Sequence, residues 1–169
     1  MNKIYRDITI VTVLYNSKKS AQSFFSNLEN FSIIVVDNGR NEKVLEKIKG
    51  YKNIKIISKN KNIGYGSAVN FAVQNVTTRF FLILNPDLKI DEKSIVNMYD
   101  ILNQYSDCAI VAPVTRFSKD FYGAFPERNI KNLTLKNALK SRDLLLNSEI
   151  ESEICVDVAK WALLIKAEE

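Results

Sequence analysis

Histidine is missing altogether from this 169-residue chain. That absence excludes Ser-His-Asp and Cys-His catalysis, histidine-ligated zinc and imidazole acid–base chemistry. Any proton transfer falls to Asp, Glu, Lys, Tyr or Cys. Cysteine is nearly as scarce: Cys108 and Cys155 stand far apart, each in an apolar run. They read as buried free thiols in a reducing compartment. No apolar run approaches the ~20 residues of a spanning helix. The N-terminus has the outline of a leader, "MNKIYR" before "ITIVTVLY", but Asp7 splits the two and no small-residue cleavage site follows. A cytoplasmic protein is expected. Internal repeats, low-complexity tracts and linkers are also absent, so residues 1–169 read as one domain.

What is there can bury a real core: 46% of residues are hydrophobic and 25% charged. The net charge of +5 suits an anionic ligand, a weak nucleic-acid contact or an anionic lipid surface, and chooses none of them. Short β-branched runs alternate with helical periodicity. Strands are predicted over 7–15, 32–37, 53–58, 79–84 and 107–113, and helices over 17–31, 41–50, 65–76 and 91–105. Ser17 is the expected cap of the first helix and Gly50 the stop of the second. Near-continuous Ile/Val/Leu strands imply burial on both faces. The fold class is therefore α/β and Rossmann-like, a mainly parallel sheet with helices on both faces. Beyond Pro113 the regularity ends. Residues 114–130 read as a loop or irregular hairpin, 132–147 as a helix and 153–166 as one or two more strands.

In an open parallel sheet, ligands sit beyond the carboxyl ends of the strands. Tyr15, Asn16 and Ser17 follow the first strand; Asp37, Asn38 and Gly39 follow the second. The third is followed by "KNKNIGYG", and the fourth ends in Asn85-Pro86-Asp87. Each cluster alone has an ordinary explanation: a packing aromatic and a cap, a turn, a tight bend before a helix, a type I turn. Their convergence on one edge favours a shared ligand. Tyr15 can pack on a base and Asp37 can accept a hydrogen bond from it. Gly64 and Gly66 let backbone approach a ligand, and the helix that follows offers its positive end to phosphate. Asp87 is a hard oxygen donor for Mg²⁺ or Mn²⁺ on a diphosphate, and Asn85 adds a neutral oxygen or an amide donor.

In that order and spacing, "ITIVTVLYNS", "IIVVDNG", "NKNIGYGSAVNFA" and "FLILNPD" resemble the N-terminal half of the family-2 glycosyltransferases, especially rhamnosyltransferase-like members with the GT-A fold. The resemblance covers residues 7–113, with a weaker stretch near 156–166. It implies inverting sugar transfer from a nucleoside-diphosphate sugar, UDP- or TDP-linked, to a saccharide or lipid-linked acceptor, as in polysaccharide biosynthesis. It implies that Thr12, Tyr15 and Asn16 line the base and ribose pocket, and that Asp37, beside Asn38, hydrogen-bonds the pyrimidine. Asn62, Gly64, Gly66 and Asn70 would shape the donor pocket. Asn85-Pro86-Asp87 sits where the family has its Asp-x-Asp metal motif, with Asp87 as the metal ligand. On this view residues 1–113 are the nucleotide-sugar-binding half, and 114–169 a partial, apparently truncated acceptor side.

The resemblance weakens at "VDVAKWALLIKAEE". Lys160-Trp161 replaces a small pair, and Glu168-Glu169 follows the strand too closely to be the family's Glu-Asp pair. The candidate base is Asp157. Trp161 is a core residue or a sugar-stacking one. Between Arg116 and Arg142 lie seven basic residues against Asp120 and Glu127. That stretch is a solvated face, or a contact with anionic lipid or a lipid-diphosphate acceptor at the inner face of the cell membrane. Nucleic acid is not expected, since basic and aromatic residues do not interleave on the strands. Two readings stand: an active glycosyltransferase, or a nucleotide-sugar-binding fragment or truncated homologue without transfer. A nucleotidyltransferase is disfavoured because the first loop lacks a basic, glycine-rich triphosphate grip. A dinucleotide oxidoreductase is weaker still, as the glycines follow the third strand and break the GxGxxG spacing.

Overall fold

The computed structural model describes residues 3–17, 21–39, 41–59, 61–106, 108–113 and 162–167. The chain parts into two compact units, Met1–Ala112 with Trp161–Glu169, and Pro113–Lys160. Apart from Pro113, the second unit lies outside the described residues. So do the expected helix over 132–147, the basic stretch from Arg116 to Arg142, Cys155, Asp157 and Trp161.

The first unit is an α/β layer structure. Its elements are α1 (Lys3–Asp7), β1 (Ile8–Leu14), α2 (Ala21–Ser26), β2 (Ser32–Asp37), α3 (Glu42–Ile48), β3 (Ile54–Ser58), α4 (Tyr65–Val73), β4 (Phe80–Leu84), α5 (Glu92–Gln104), β5 (Ile110–Val111) and β6 (Ala162–Lys166). The six strands form one sheet in the order β3-β2-β1-β4-β6-β5. The strands β1 to β4 are mutually parallel. β6 runs antiparallel between β4 and β5.

β1 is central and buried along its whole length, as its unbroken "ITIVTVL" requires. Alternate residues feed two cores. Ile8, Ile10 and Leu14 join Ile33, Val35, Phe80, Leu82 and Leu84 beneath Phe25, Leu28, Ile48 and Ile95, so α2, α3 and α5 cover that face. Val11, Val13, Ile34, Val36 and Phe81 face Ala68, Val69 and Ala72 of α4 on the other. The chain steps outward from β1 to β3 over one face and returns to β4 over the opposite one. A reversal of direction at constant hand demands that change of face. It leaves β1 and β4 adjacent, with the loops after β1 and β4 diverging there.

Several boundaries differ from expectation. The helix over 17–31 is described only as Ala21–Ser26; Leu28 and Phe31 are buried through turns, their N–H groups donating to Phe25 and Leu28 carbonyls. Residues 18–20, where a helix capped by Ser17 would begin, lie outside the described residues; the Ser17 N–H goes to Asn41. The fifth strand shrinks to Ile110–Val111, and the helix α1 precedes the first strand. Tyr5 and Asp7 of that short helix bond Glu92 and Tyr99 of α5 through phenol–carboxylate contacts.

Candidate nucleotide-sugar site

Because β1 to β4 are parallel, the loops that follow them leave from one edge of the sheet. Their side chains are tied together there. At the end of β2, Asp37 Oδ1 accepts from Asn41 Nδ2 at 2.7 Å and from the Gly39 N–H at 3.3 Å. Asn41 also accepts the Ser17 N–H at 2.7 Å and donates to the Gly39 carbonyl at 3.2 Å, so it fastens the loop after β1 to the loop after β2. Asn38 reaches the other way. Its Nδ2 donates to Asn62 Oδ1 at 3.0 Å and its Oδ1 accepts the Ile63 N–H at 2.9 Å. Asn62 Oδ1 takes the Gly64 N–H as well, at 2.8 Å. The Tyr65 hydroxyl then donates to Asn85 Oδ1 at 2.9 Å, joining the loop after β3 to the loop after β4.

Asp37, Asn38 and Asn41 are buried, which makes their pairing obligatory. Among the described residues Asp37 Oδ1 is fixed and Oδ2 has no hydrogen-bond partner. The aromatic of the rim is held by sterics. Tyr15 is half exposed, and its ring lies so close over Gly39 that a Cβ there would meet Cδ2 at 2.8 Å. Glycine at 39 is thus the seat of the ring. Next to it Asn16 has φ of 47°, a left-handed conformation that asparagine tolerates better than most residues.

The turn before α4 uses its glycines differently. Gly64 has φ 83° and ψ 156°, a region open essentially only to glycine. Gly66 has no such constraint: a Cβ there would meet nothing within 4 Å. Protein packing therefore does not explain that glycine. Asp87 is exposed at the tip of the last loop. The Tyr65 hydroxyl is made less acidic by burial first and by the negative charge of Asp87 second. Asp87 also lines a shallow cleft with Phe24, Asn27, Leu28, Pro86 and Leu88.

Most of the residues picked from sequence are thus brought to one rim: Tyr15, Asn16, Asp37, Asn38, Asn62, Gly64, Gly66, Asn85 and Asp87. Two stand apart. Thr12 is buried within β1 on the face covered by α2, α3 and α5, and its Oγ1 has no partner among the described residues. Asn70 is exposed on α4 and its side chain bonds no described residue. Asn41 and Tyr65 were not anticipated. The sequence marks Asn41 as a helix start, yet its side chain does not cap α3 and turns back to Asp37 instead. Tyr65 is the first residue of α4, with nothing in its spacing to distinguish it from a helix-surface aromatic.

Among the described residues no helix is long and apolar enough to cross a membrane. The chain is 27% identical over 128 residues to the teichoic acid poly(glycerol phosphate) polymerase of Staphylococcus epidermidis, a match covering 70% of this chain and 17% of that protein. It is 25% identical over 111 residues to the low-salt glycan biosynthesis hexosyltransferase Agl10 of Haloferax volcanii, covering 63% and 36% respectively. The chain therefore spans well under half the length of these curated relatives. Among solved structures it resembles the mannosyltransferase PcManGT from Pyrobaculum calidifontis in complex with GDP-Man and Mn²⁺, with a TM-score of 0.58, 17% identity and coverage of 65% of this chain and 36% of that one. At that identity the likeness is one of fold, and it is the GT-A fold. Residues 9–160 match the sequence model of glycosyl transferase family 2, and the chain belongs to that family.

Proposed function

We propose that the rim binds a nucleoside-diphosphate sugar, UDP- or TDP-linked, together with Mg²⁺ or Mn²⁺. The protein transfers the sugar with inversion to a saccharide or lipid-linked acceptor. The observation that carries this reading is the run of side-chain hydrogen bonds joining the loops after β1, β2, β3 and β4. Four plain turns need no such cross-links. A ligand touching all four needs them held in register.

Tyr15, seated on Gly39, supplies an aromatic face for the base. Asp37, with Oδ1 held by Asn41 and Gly39, offers Oδ2 to a base N–H. The α4 amino end and the bare backbone at Gly66 leave room for the diphosphate. Among the described residues, no three Asp, Glu, Cys or His side chains converge. One exposed carboxylate is too few ligands for a hard, octahedral cation, but it fits a cation that arrives with the diphosphate oxygens already attached. Asp87 would hold it, and the cation supplies positive charge to the leaving diphosphate. In the transfer itself, an acceptor hydroxyl oxygen attacks the anomeric carbon opposite the diphosphate. The new C–O bond forms as the bond to diphosphate oxygen breaks, and a base takes the hydroxyl proton. Asp157, the candidate for that base, lies outside the described residues. The basic stretch from Arg116 to Arg142 suits an acceptor carried on anionic lipid at the cytoplasmic face of a membrane.

The limited share of the relatives' length that this chain covers keeps a second reading in view, a donor-binding part without transfer of its own. Titration with UDP and TDP in Mn²⁺, beside turnover of a UDP-sugar with a saccharide acceptor, separates the two. Binding with turnover supports the transferase, and binding without turnover supports the donor-binding part. No binding of any nucleoside diphosphate refutes both.

A further inference from the structure

The rim contains one residue whose role sequence leaves open. An amide at position 85 can offer an oxygen to a cation or N–H groups to an oxygen of the ligand. The geometry decides between them. Asn85 Oδ1 already accepts the Tyr65 hydroxyl at 2.9 Å, and Asn85 is half-buried, so its orientation is constrained. A cation on that same oxygen would have to share it with the phenol proton, using the one lone pair that remains. The amide nitrogen, by contrast, bonds no described residue and carries two N–H groups. Tyr65 in turn is fixed by its place as first residue of α4, directly after Gly64 in its glycine-only conformation.

Resting on the donor-binding reading above, we propose that Asn85 serves the nucleoside diphosphate as an N–H donor to one of its oxygens and not as a metal ligand. Tyr65 is the positioning residue that holds the amide that way round. Asp87 is then the only side chain of the turn that faces the cation. The pair converts what is elsewhere an acidic position into a neutral donor, and it does so through a residue twenty positions away in sequence.

The two possible roles of Asn85 predict opposite signs. The whole chain is titrated by calorimetry with UDP and with GDP in saturating Mn²⁺, and separately with Mn²⁺ alone. Asn85→Asp removes the N–H groups and sets a second negative charge against the diphosphate, so it weakens nucleotide binding by about tenfold or more. Tyr65→Phe keeps the ring and weakens it by about three- to tenfold, with Mn²⁺ binding unchanged. The double variant Tyr65→Phe/Asn85→Ala binds no worse than Asn85→Ala, because Tyr65 acts through Asn85. Thermal midpoints equal to the parent's show that each variant folds.

Tighter nucleotide binding by Asn85→Asp, or a gain in Mn²⁺ affinity in Tyr65→Phe, overturns the proposal and makes Oδ1 a metal ligand. Unchanged binding in Tyr65→Phe overturns the positioning role. These outcomes leave donor binding itself standing. A parent chain that binds neither nucleotide overturns the donor reading and this inference with it.

Discussion

The two ends of the sheet use the same side chains for different ends. At the amino ends of the strands, polar groups close on backbone or on a single partner. Asn53 Nδ2 donates to the Phe31 carbonyl at 2.9 Å and, more weakly, to that of Leu28. Thr78 bonds Thr9 and the Phe80 carbonyl, and Tyr99 bonds Asp7. Near the far end of α5, Lys166 bonds the Tyr105 and Ser106 carbonyls, where the helix dipole is negative. At the carboxyl ends, Asn and Asp bond from loop to loop, and among the described residues Asp37, Asn85 and Asp87 keep unpaired donors or acceptors. The first arrangement finishes the fold. The second holds loops apart at fixed spacing with unused donors and acceptors between them, as a binding site requires.

The sharpest way to break this contrast is at Asp87. Asp87→Ala should weaken Mn²⁺-dependent UDP binding by about a hundredfold while leaving the unfolding midpoint unchanged, since the carboxylate is exposed. Calorimetry beside a thermal melt checks both. Equal affinity in the variant would detach the metal from this turn. Next in size is a matched pair of asparagines. Asn41→Ala leaves the buried Asp37 oxygen with only its longer bond from Gly39 and takes away the partner of the Ser17 N–H, at a cost of about 2 kcal/mol, and should also loosen UDP binding. Asn53→Ala at the opposite end costs about 1 kcal/mol and leaves UDP binding untouched. If both lose affinity equally, the two ends are not functionally distinct.

A smaller effect concerns Gly66, and its two readouts move in opposite directions. A Cβ there meets no protein atom, and alanine restricts the unfolded chain, so Gly66→Ala should stabilise the fold by up to about 1 kcal/mol. If the diphosphate occupies that space, the same methyl weakens UDP binding by about fivefold or more. A variant that is both more stable and an equally good binder would remove Gly66 from the site.

How far the sequence leads depends on whether the signal is local. β2 and β4 were legible as apolar runs bounded by polar residues, and the parallel order followed from their alternation with helices. The rim residues were legible because they fall in the segments that follow the strands. Three things were not. β6 was expected as a strand within 153–166, but its place between β4 and β5 was not, since strand pairing at that separation leaves no local trace. α1 is too short for helical periodicity to register, and what ties it to the core, the burial of Ile4 and the contacts of Tyr5 and Asp7 with Phe31 and α5, lies far away in sequence. Thr12 was grouped with Tyr15 and Asn16 by the family resemblance alone, and alternation along β1 sets it on a buried face. Asn41 and Tyr65 were passed over for the related reason that each matters through a partner in another loop.

The smallest predicted effect lies at Asp91, just after the Asn85–Asp87 turn, and it tests whether that turn depends on the helix behind it. Asp91 caps α5, its carboxylate accepting the Ser94 N–H at 2.6 Å. Bonds from the Ser94 side chain and backbone hold its pKa below the usual carboxylate value. A group whose pKa is depressed by folding stabilises the native state above its unfolded pKa and loses that contribution as pH falls through the folded one. Asp91→Ala should therefore cost about 0.5–1 kcal/mol at neutral pH, and the gap from the parent should close on acidification below pH 4. UDP binding at neutral pH should barely change, because Leu88 and Ile90 pack the segment between the turn and α5 against the larger core independently of the cap. A marked loss of UDP binding in Asp91→Ala would mean that the helix start, and not the apolar anchor of Leu88 and Ile90, holds Asp87 in place.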